Sequence, residues 1–266
     1  ELIRNAKDKY GRNVVILVDE YDKPLLDNIT DSSVAAEMRN GLRNLYSVIK
    51  DNDAHIRFAF LTGVSKFSKV SLFSGLNNLE DITLDPSYSA LCGYTQTELE
   101  QHFGEHLQGA DMSLVRSWYN GYNWLGESVY NPFDVLLFIS KGKEFLPYWF
   151  ETATPSFLVD ILRKRQFHLP DLEAVRMDYK ALGDFDVDRI HVETLLFQTG
   201  YLTIKDKKLP FMGGLPEYTL SYPNNEVRYS LMSYLLENYL TDDRQERGSV
   251  YDALLVNDFT ALERRF

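Results

Sequence analysis

The stretch "VVILVDEYDKP", residues 14–24, decides how the chain is read. Val14, Val15, Ile16, Leu17 and Val18 are mostly β-branched and do not alternate with polar residues. Such a run suits a parallel strand covered on both faces. Asp19 and Glu20 follow at once, Asp22 comes two positions later, and Lys23-Pro24 then blocks further strand pairing. The acids are therefore expected at the carboxyl end of a buried strand, where open α/β sheets bind ligands. Neighbouring carboxylates in a partly dry crevice repel one another, so a cation or donor is expected beside them.

An apolar strand ending in Asp-Glu has the form of a Walker B motif, and Mg²⁺ carried by a nucleotide would supply the cation. In that reading Asp19 holds Mg²⁺ through a water and Glu20 polarises the attacking water. The plainer alternative is an acidic strand end that caps the next turn. A third reading uses Asp19, Glu20 and Asp22 as the metal centre of a nuclease without nucleotide. That chemistry needs a lysine or further acids from another strand, to which the sequence does not point; Lys23 faces a turn.

A chain of 266 residues with 44% hydrophobic residues can bury a sizeable core, as one large domain or two to three small ones. The net charge of −11 argues against a general electrostatic grip on nucleic acid but leaves room for a local patch. Cys92 is the sole cysteine, which fits a reducing cytoplasm. No apolar stretch approaches the length of a spanning helix, and no signal-like segment is present. A cytoplasmic location without membrane contact is expected. Glu1 in place of an initiator Met is read as a boundary within a longer product.

Residues 1–10 are predicted to end a helix that stops at Gly11. Residues 33–51 carry Val34, Met38, Leu42, Leu45, Val48 and Ile49 at helical spacing. "IRFAFLTG", 56–63, reads as a second buried strand, and "DITL", 81–84, as a third. Strand–helix–strand alternation implies right-handed parallel crossovers, which places Asp19 and Thr62 at one sheet edge. The region 95–185 reads as mostly helical: Thr95 with Glu98 forms a capping box, and Asn131-Pro132 and Thr154-Pro155 begin two more helices. Further on, "ETLLFQTG" ends a helix at Gly200, and "YLTIKDKK" with "PEYTLSYP" reads as a hairpin, so 186–240 suggests a winged-helix-like module. Residues 229–240 read as another helix and 241–266 as a tail or linker.

Several stretches taken together, "VVILVDEYDKPLLDN", "FLTGVSKFSKVSLFSGLNNLEDITL", "WYNGYNW", "VYNPFDVLLF" and "LLFQTGYLTI…YTLSYPNNEV", resemble a bacterial family known as predicted AAA-ATPase or AAA-ATPase-like. The resemblance runs from about residue 10 to about residue 240. It implies an amino-terminal P-loop segment, a helical and winged-helix region, and a carboxyl-terminal nuclease-like domain of the PD-(D/E)XK type. It also implies ATP and Mg as cofactors, Asp19 and Glu20 as Walker B, and Thr62 or Ser65 as the sensor near the γ-phosphate. A hydroxyl there can hydrogen-bond a phosphate oxygen. Asn77 and Asn78 match family positions too, with turn chemistry as the plain alternative. No GxxxxGK[ST] occurs, since Gly142-Lys143 lacks the upstream glycine and is followed by Glu144. The resemblance puts that loop before Glu1 and the nuclease-like segment after Phe266. No arginine finger is assignable, Arg43 and Arg57 being the arginines considered.

Three other constellations compete. "HFGEH", 102–106, has the H-x-x-E-H zinc pattern, with Glu151 and Glu173 as third-ligand candidates, but Gly104 weakens the helix and a solvated face is the better reading. "WYNGYNW" could stack bases or sugars, though packing of a helical subdomain is favoured. Lys205, Lys207 and Lys208 on the wing could touch phosphates, yet acidic residues outnumber basic ones across 186–240, and Leu195, Leu196 and Phe197 look buried. The expectation is thus α/β plus α: a truncated, AAA-like P-loop NTPase parallel sheet core over 1–94, a helical lid over 95–185, a winged-helix-like module over 186–240 and a tail or linker. The intact protein would bind and hydrolyse ATP with Mg²⁺, coupled to the nuclease-like domain. A nucleotide-independent scaffold, binding protein or nucleic acid through the winged helix, is the alternative. Homo-oligomerisation is the remaining partner expectation.

Overall fold

The β-branched run forms strand β1, Val14–Val18, and Ile56–Leu61 forms β2 beside it. The two are parallel, with Ile16 opposite Ala59 and Val18 opposite Leu61. This is a computed structural model, and it describes residues 1–28, 31–64, 73, 78–152, 162, 172–183, 191–210 and 213–239. Helix α1, Leu2–Tyr10, precedes β1 and closes at Gly11, whose N–H donates to the Lys7 carbonyl at 2.7 Å. The short helix α2, Lys23–Leu26, starts with Pro24 in its first turn, so the proline that ends the strand opens a helix. Helix α3, Ser32–Asp51, then returns the chain antiparallel to the strands, and Asp31 caps it by accepting from the Ser33 and Val34 N–H groups.

One face of this sheet packs on α3, where Ile16, Val18, Ala59 and Leu61 meet Tyr46 and Ile49. The buried stripe of α3 includes Ala35, Tyr46 and Ile49, while Leu45 is 62% exposed and Val48 41%. The helical spacing was right but the apolar face is rotated: Tyr46 takes the place Leu45 was expected to fill, and its hydroxyl donates to the Tyr21 carbonyl at 3.2 Å. Among the described residues the opposite sheet face is largely uncovered. Leu17 is 71% exposed and Phe58 54%, although both belong to the runs read as buried on two faces. Among the described residues no third strand pairs with either one. A groove of about 900 Å³ lies along β2, with Phe58, Phe60, Leu79 and Ile82 among its lining residues.

The expected strand at 81–84 is a turn. Asp81 accepts from the Thr83 N–H at 3.1 Å, and Asp85 accepts from Ser87 at 2.8 Å, so side-chain acceptors hold the backbone in turns where a ladder would need it extended. Helix α4, Gln96–Phe103, begins with the complete Thr95–Glu98 capping box. Helix α5, Met112–Tyr119, runs into a small hairpin of β3, Asn120–Tyr122, and β4, Val129–Tyr130. Helix α6, Pro132–Ser140, starts with Asn131 as its cap, as expected. Helix α7, Tyr148–Thr152, follows; Thr154-Pro155 and the tail at 241–266 lie outside the described residues.

The last described part starts with β5, Val175–Asp178, followed by α8, Tyr179–Gly183, and α9, Val192–Gln198. Strands β6, Thr203–Lys208, and β7, Glu217–Ser221, then form the expected antiparallel hairpin, and β5 adds to β7 to give the order β5-β7-β6. Strand β5 lies in the region read as helical, and its burial alternates with Val175 and Met177 inward. Helix α10, Asn225–Tyr239, begins four residues before the predicted start. The core of this part reaches back to the first: Leu25 of α2 belongs to the same buried cluster as Leu195, Leu196, Tyr201 and Leu220.

Gly121 of β3 shows how closely these parts fit. It sits at φ +124, and a Cβ there would run into the carbonyl of Pro223, just ahead of α10. Gly121→Ala should therefore combine backbone strain with a steric clash and lower stability by about 2–4 kcal/mol. Urea unfolding of the two proteins checks this, with an unchanged midpoint as the contrary result.

Candidate functional site at the carboxyl end of the parallel strands

The ladder between β1 and β2 runs one step past the strand ends. Thr62 N–H donates to the Val18 carbonyl at 2.8 Å, and Tyr21 N–H donates to the Thr62 carbonyl at 2.9 Å. These bonds fix Asp19 and Thr62 side by side. The Thr62 hydroxyl donates to Asp19 Oδ1 at 2.5 Å, and the Glu20 N–H donates to the same oxygen at 3.0 Å. Asp19 and Glu20 are both exposed at the mouth of the strand edge. Glu20 has φ +52, a left-handed conformation that a residue with a Cβ adopts at a cost. The turn closes when Lys23 N–H donates to the Glu20 carbonyl at 3.0 Å, which leads directly into α2.

Asp22 takes a different role from its neighbours. It is fully buried, and its Oδ1 accepts from the Val64 N–H at 3.1 Å. It thereby ties the turn after β1 to the loop after β2. Gly63 permits this approach, because a Cβ there would lie 2.5 Å from Asp22 Oδ1 and 2.6 Å from the Tyr21 ring. Tyr21 stacks edge-on against Tyr46 and lies 5.1 Å from the Phe73 ring. Burial first, then the nearby Asp22, raises the Tyr21 and Tyr46 phenols, so both stay neutral.

The structure brings Asp19, Glu20 and Thr62 together and places Asp22 behind them. Ser65 and Asn77 lie outside the described residues. Asn78 is elsewhere: its amide donates to Asp53 at 3.0 Å, at the amino-terminal end of β2, opposite the site. Arg57 is also on that end, lining the groove, and Arg43 is exposed on α3. No group of three or more metal-ligating residues occurs among the described residues. The zinc pattern fails for a local reason, since α4 ends at Phe103 and leaves His106 beyond the helix that should carry both histidines. Glu173 is engaged with Arg228 at 2.8 Å.

The aromatic run is interior packing. Tyr119 is fully buried against Phe138 and Phe145, and Tyr122 stacks on Trp124. On the hairpin, the Lys205 amine donates to the Pro223 carbonyl at 3.1 Å, and Lys208 lies 3.9 Å from Asp206. Helix α9, which would read bases in a winged helix, buries Val192, Thr194, Leu195, Leu196 and Phe197. Sequence reasoning missed a polar site of another kind, the fully buried pair Asp134 and Glu226. Its one local signal is an acid inside the otherwise apolar helix "PFDVLLFI".

Comparison with known proteins bears on the first part of the chain. Residues 1–73 match the family described as Predicted AAA-ATPase. The match spans α1 to β2 and with them Asp19, Glu20 and Thr62. The chain is also 56% identical, over 269 aligned residues, to an uncharacterized protein in the vnfD 5' region of Azotobacter chroococcum mcd 1. That alignment covers all of this chain and 52% of the relative, so the chain spans about half the relative's length. No solved structure matches. Among the described residues no helix is long and apolar enough to cross a membrane.

The positive φ at Glu20 makes its own prediction. Glu20→Gly and Glu20→Ala both delete the carboxylate, but only glycine relieves the left-handed strain. Glu20→Gly should be more stable than Glu20→Ala by about 1 kcal/mol in urea unfolding. Equal stability would show that Glu20 is not held in that conformation.

Proposed function

We propose that these 266 residues are the central part of an AAA-like ATPase and that the carboxyl end of β1 and β2 is its nucleotide-facing edge. The observation that carries this is the Asp19–Thr62 hydrogen bond between the ends of adjacent parallel strands, inside the segment that matches the AAA-ATPase family. Asp19, Glu20 and Thr62 offer hard oxygen donors, the set that suits Mg²⁺. When bound, Mg²⁺ would neutralise charge on the β- and γ-phosphates. Asp19 would hold it through a water. The Thr62 hydroxyl donates its one proton to Asp19 and keeps that carboxylate oriented; to act as a sensor it would turn from Asp19 to a phosphate oxygen when nucleotide binds. Glu20, next in the chain, would take a proton from the attacking water. Its side chain is exposed at the strand end, where a water could reach it.

No GxxxxGK[ST] pattern occurs in residues 1–266, and we propose that the phosphate cradle and its lysine come from elsewhere in the full-length protein. The largely uncovered sheet face at Leu17 and Phe58 and the groove along β2 give the rest of such a core a surface to pack on. Coupling of hydrolysis to a nuclease-like domain follows only from the family resemblance.

The reading of 186–240 as a winged-helix-like module has support in α9 followed by the β6–β7 hairpin, to which β5 and α8 from the preceding region add a strand and a helix. Burial of α9 favours an internal or protein-partner role over DNA reading.

In full-length protein, Glu20→Gln should retain nucleotide binding and lose ATP turnover by roughly 10²–10⁴-fold. Asp19→Asn should weaken Mg²⁺-dependent binding instead. Residues 1–266 alone should bind ATP with Mg²⁺ no tighter than roughly millimolar, a binding energy of about 4 kcal/mol. Normal phosphate release by the Glu20→Gln protein would remove Glu20 from the mechanism, and micromolar binding by the isolated segment would reveal a different phosphate site.

A further inference from the structure

Two fully buried acids meet where α6, α7 and α10 converge. Asp134 lies in the first turn of α6 and Glu226 in the first turn of α10. Asp134 Oδ1 and Glu226 Oε1 both accept from the Trp149 N–H, each at 2.9 Å, and Glu226 Oε1 also accepts from Phe150 N–H at 3.3 Å. A shared donor forces the two carboxyl groups together. Their other oxygens, Asp134 Oδ2 and Glu226 Oε2, are buried without a hydrogen-bond donor. Two acceptor-only oxygens in a dry interior would repel, and a proton between them turns that repulsion into a bond.

Among the described residues the surroundings offer no cation to compensate the pair. Tyr119 of α5, Tyr122 of β3 and Tyr148 of α7 face the pair, and burial raises all three phenols, so each is neutral. Glu144 and Glu151 near Tyr148 add negative charge only. Lys141 reaches the Tyr148 ring, and Arg228 of α10 turns outward to Glu173. No salt bridge among the described residues involves Asp134 or Glu226.

We propose that Asp134 and Glu226 share a single proton and that this acid–carboxylate bond is a pH-sensitive latch holding α10, and the hairpin that leads into it, to α6 and α7. The electrostatics agree. Burial raises the Asp134 carboxyl to about 6, and burial together with the Asp134 charge raises the Glu226 carboxyl to about 9. Both folded values exceed those of the unfolded chain, so the folded state holds more protons in between. The singly protonated pair lies between these two values, and its contribution to stability falls as pH rises and is lost above about 9. One proton of difference changes the folding equilibrium about tenfold per pH unit.

Glu226→Gln separates the proton from the shape. The amide keeps an oxygen for the Trp149 and Phe150 N–H groups and donates to Asp134 Oδ2 at every pH. Asp134→Asn makes the reverse replacement. Urea unfolding of the chain between pH 6.5 and 9.5 should show the wild-type folding constant falling up to about tenfold per pH unit more steeply than either variant. Protection of the Trp149 and Phe150 amides, taken relative to the intrinsic exchange rate at each pH, should fall above pH 9 in the wild type and hold in both variants. Parallel pH profiles for wild type and variants would overturn the proposal. So would loss of amide protection at pH 6.5 in both variants, since a proton-sharing site must accept its own isostere. Stabilisation of the wild type by added Ca²⁺ or Mg²⁺ at pH 8, absent from both variants, would assign the pair to a cation and also overturn it.

Discussion

Two backbone hydrogen bonds past the paired strands, from Thr62 to Val18 and from Tyr21 to Thr62, determine where every polar group of the candidate site can go. They carry the parallel register beyond Leu61, so the first polar residue of each strand end meets the other. The side-chain bond between Thr62 and Asp19 follows from that register. So does the tight turn at Glu20: the backbone must reverse within a few residues to enter α2 while Tyr21 stays paired, and a left-handed residue is one way to do it. Asp22 and Gly63 then lock the two loops together from behind. The acidic end of β1 is thus one exposed, strained part facing outward, backed by one buried part that holds it in place.

The remainder of the chain forms a support that is continuous with this edge. Leu25, directly after the turn, packs into the cluster that contains α9 and the β6–β7 sheet. The helical part has its own cluster around Tyr119, Tyr130 and Phe138. It joins the carboxyl-terminal part through the close approach of Gly121 to Pro223 and through the buried acids on α6 and α10.

Much of this was legible in the sequence where the signal is local. The uninterrupted run 14–18, the Thr95–Glu98 box, Asn131-Pro132 and the Gly200 stop each encode their geometry within a few residues, and each element formed where expected. The pairing of Asp19 with Thr62 was also legible, because parallel strands fix which ends meet. Local signals misled at 81–84, where Asp acceptors favour turns, and at 14–18, where apolar composition implied cover on both faces. Strands β3, β4 and β5 are too short for a period of two to show. Asp22 resembled its acidic neighbours, and only the loop after β2 reveals that it points inward. Asp134 and Glu226 lie 92 positions apart, and no pattern in either neighbourhood links them.

The central claim is that the edge formed by Asp19, Glu20 and Thr62 faces a nucleotide. Hydrogen exchange read by mass spectrometry on full-length protein, with and without ATP and Mg²⁺, tests it most directly. The account predicts slowed exchange at Glu20, Tyr21 and Thr62 to Val64 when both are present, and no such slowing in the Asp19→Asn protein. Nucleotide-dependent protection confined to other segments, with this edge unchanged, would contradict it.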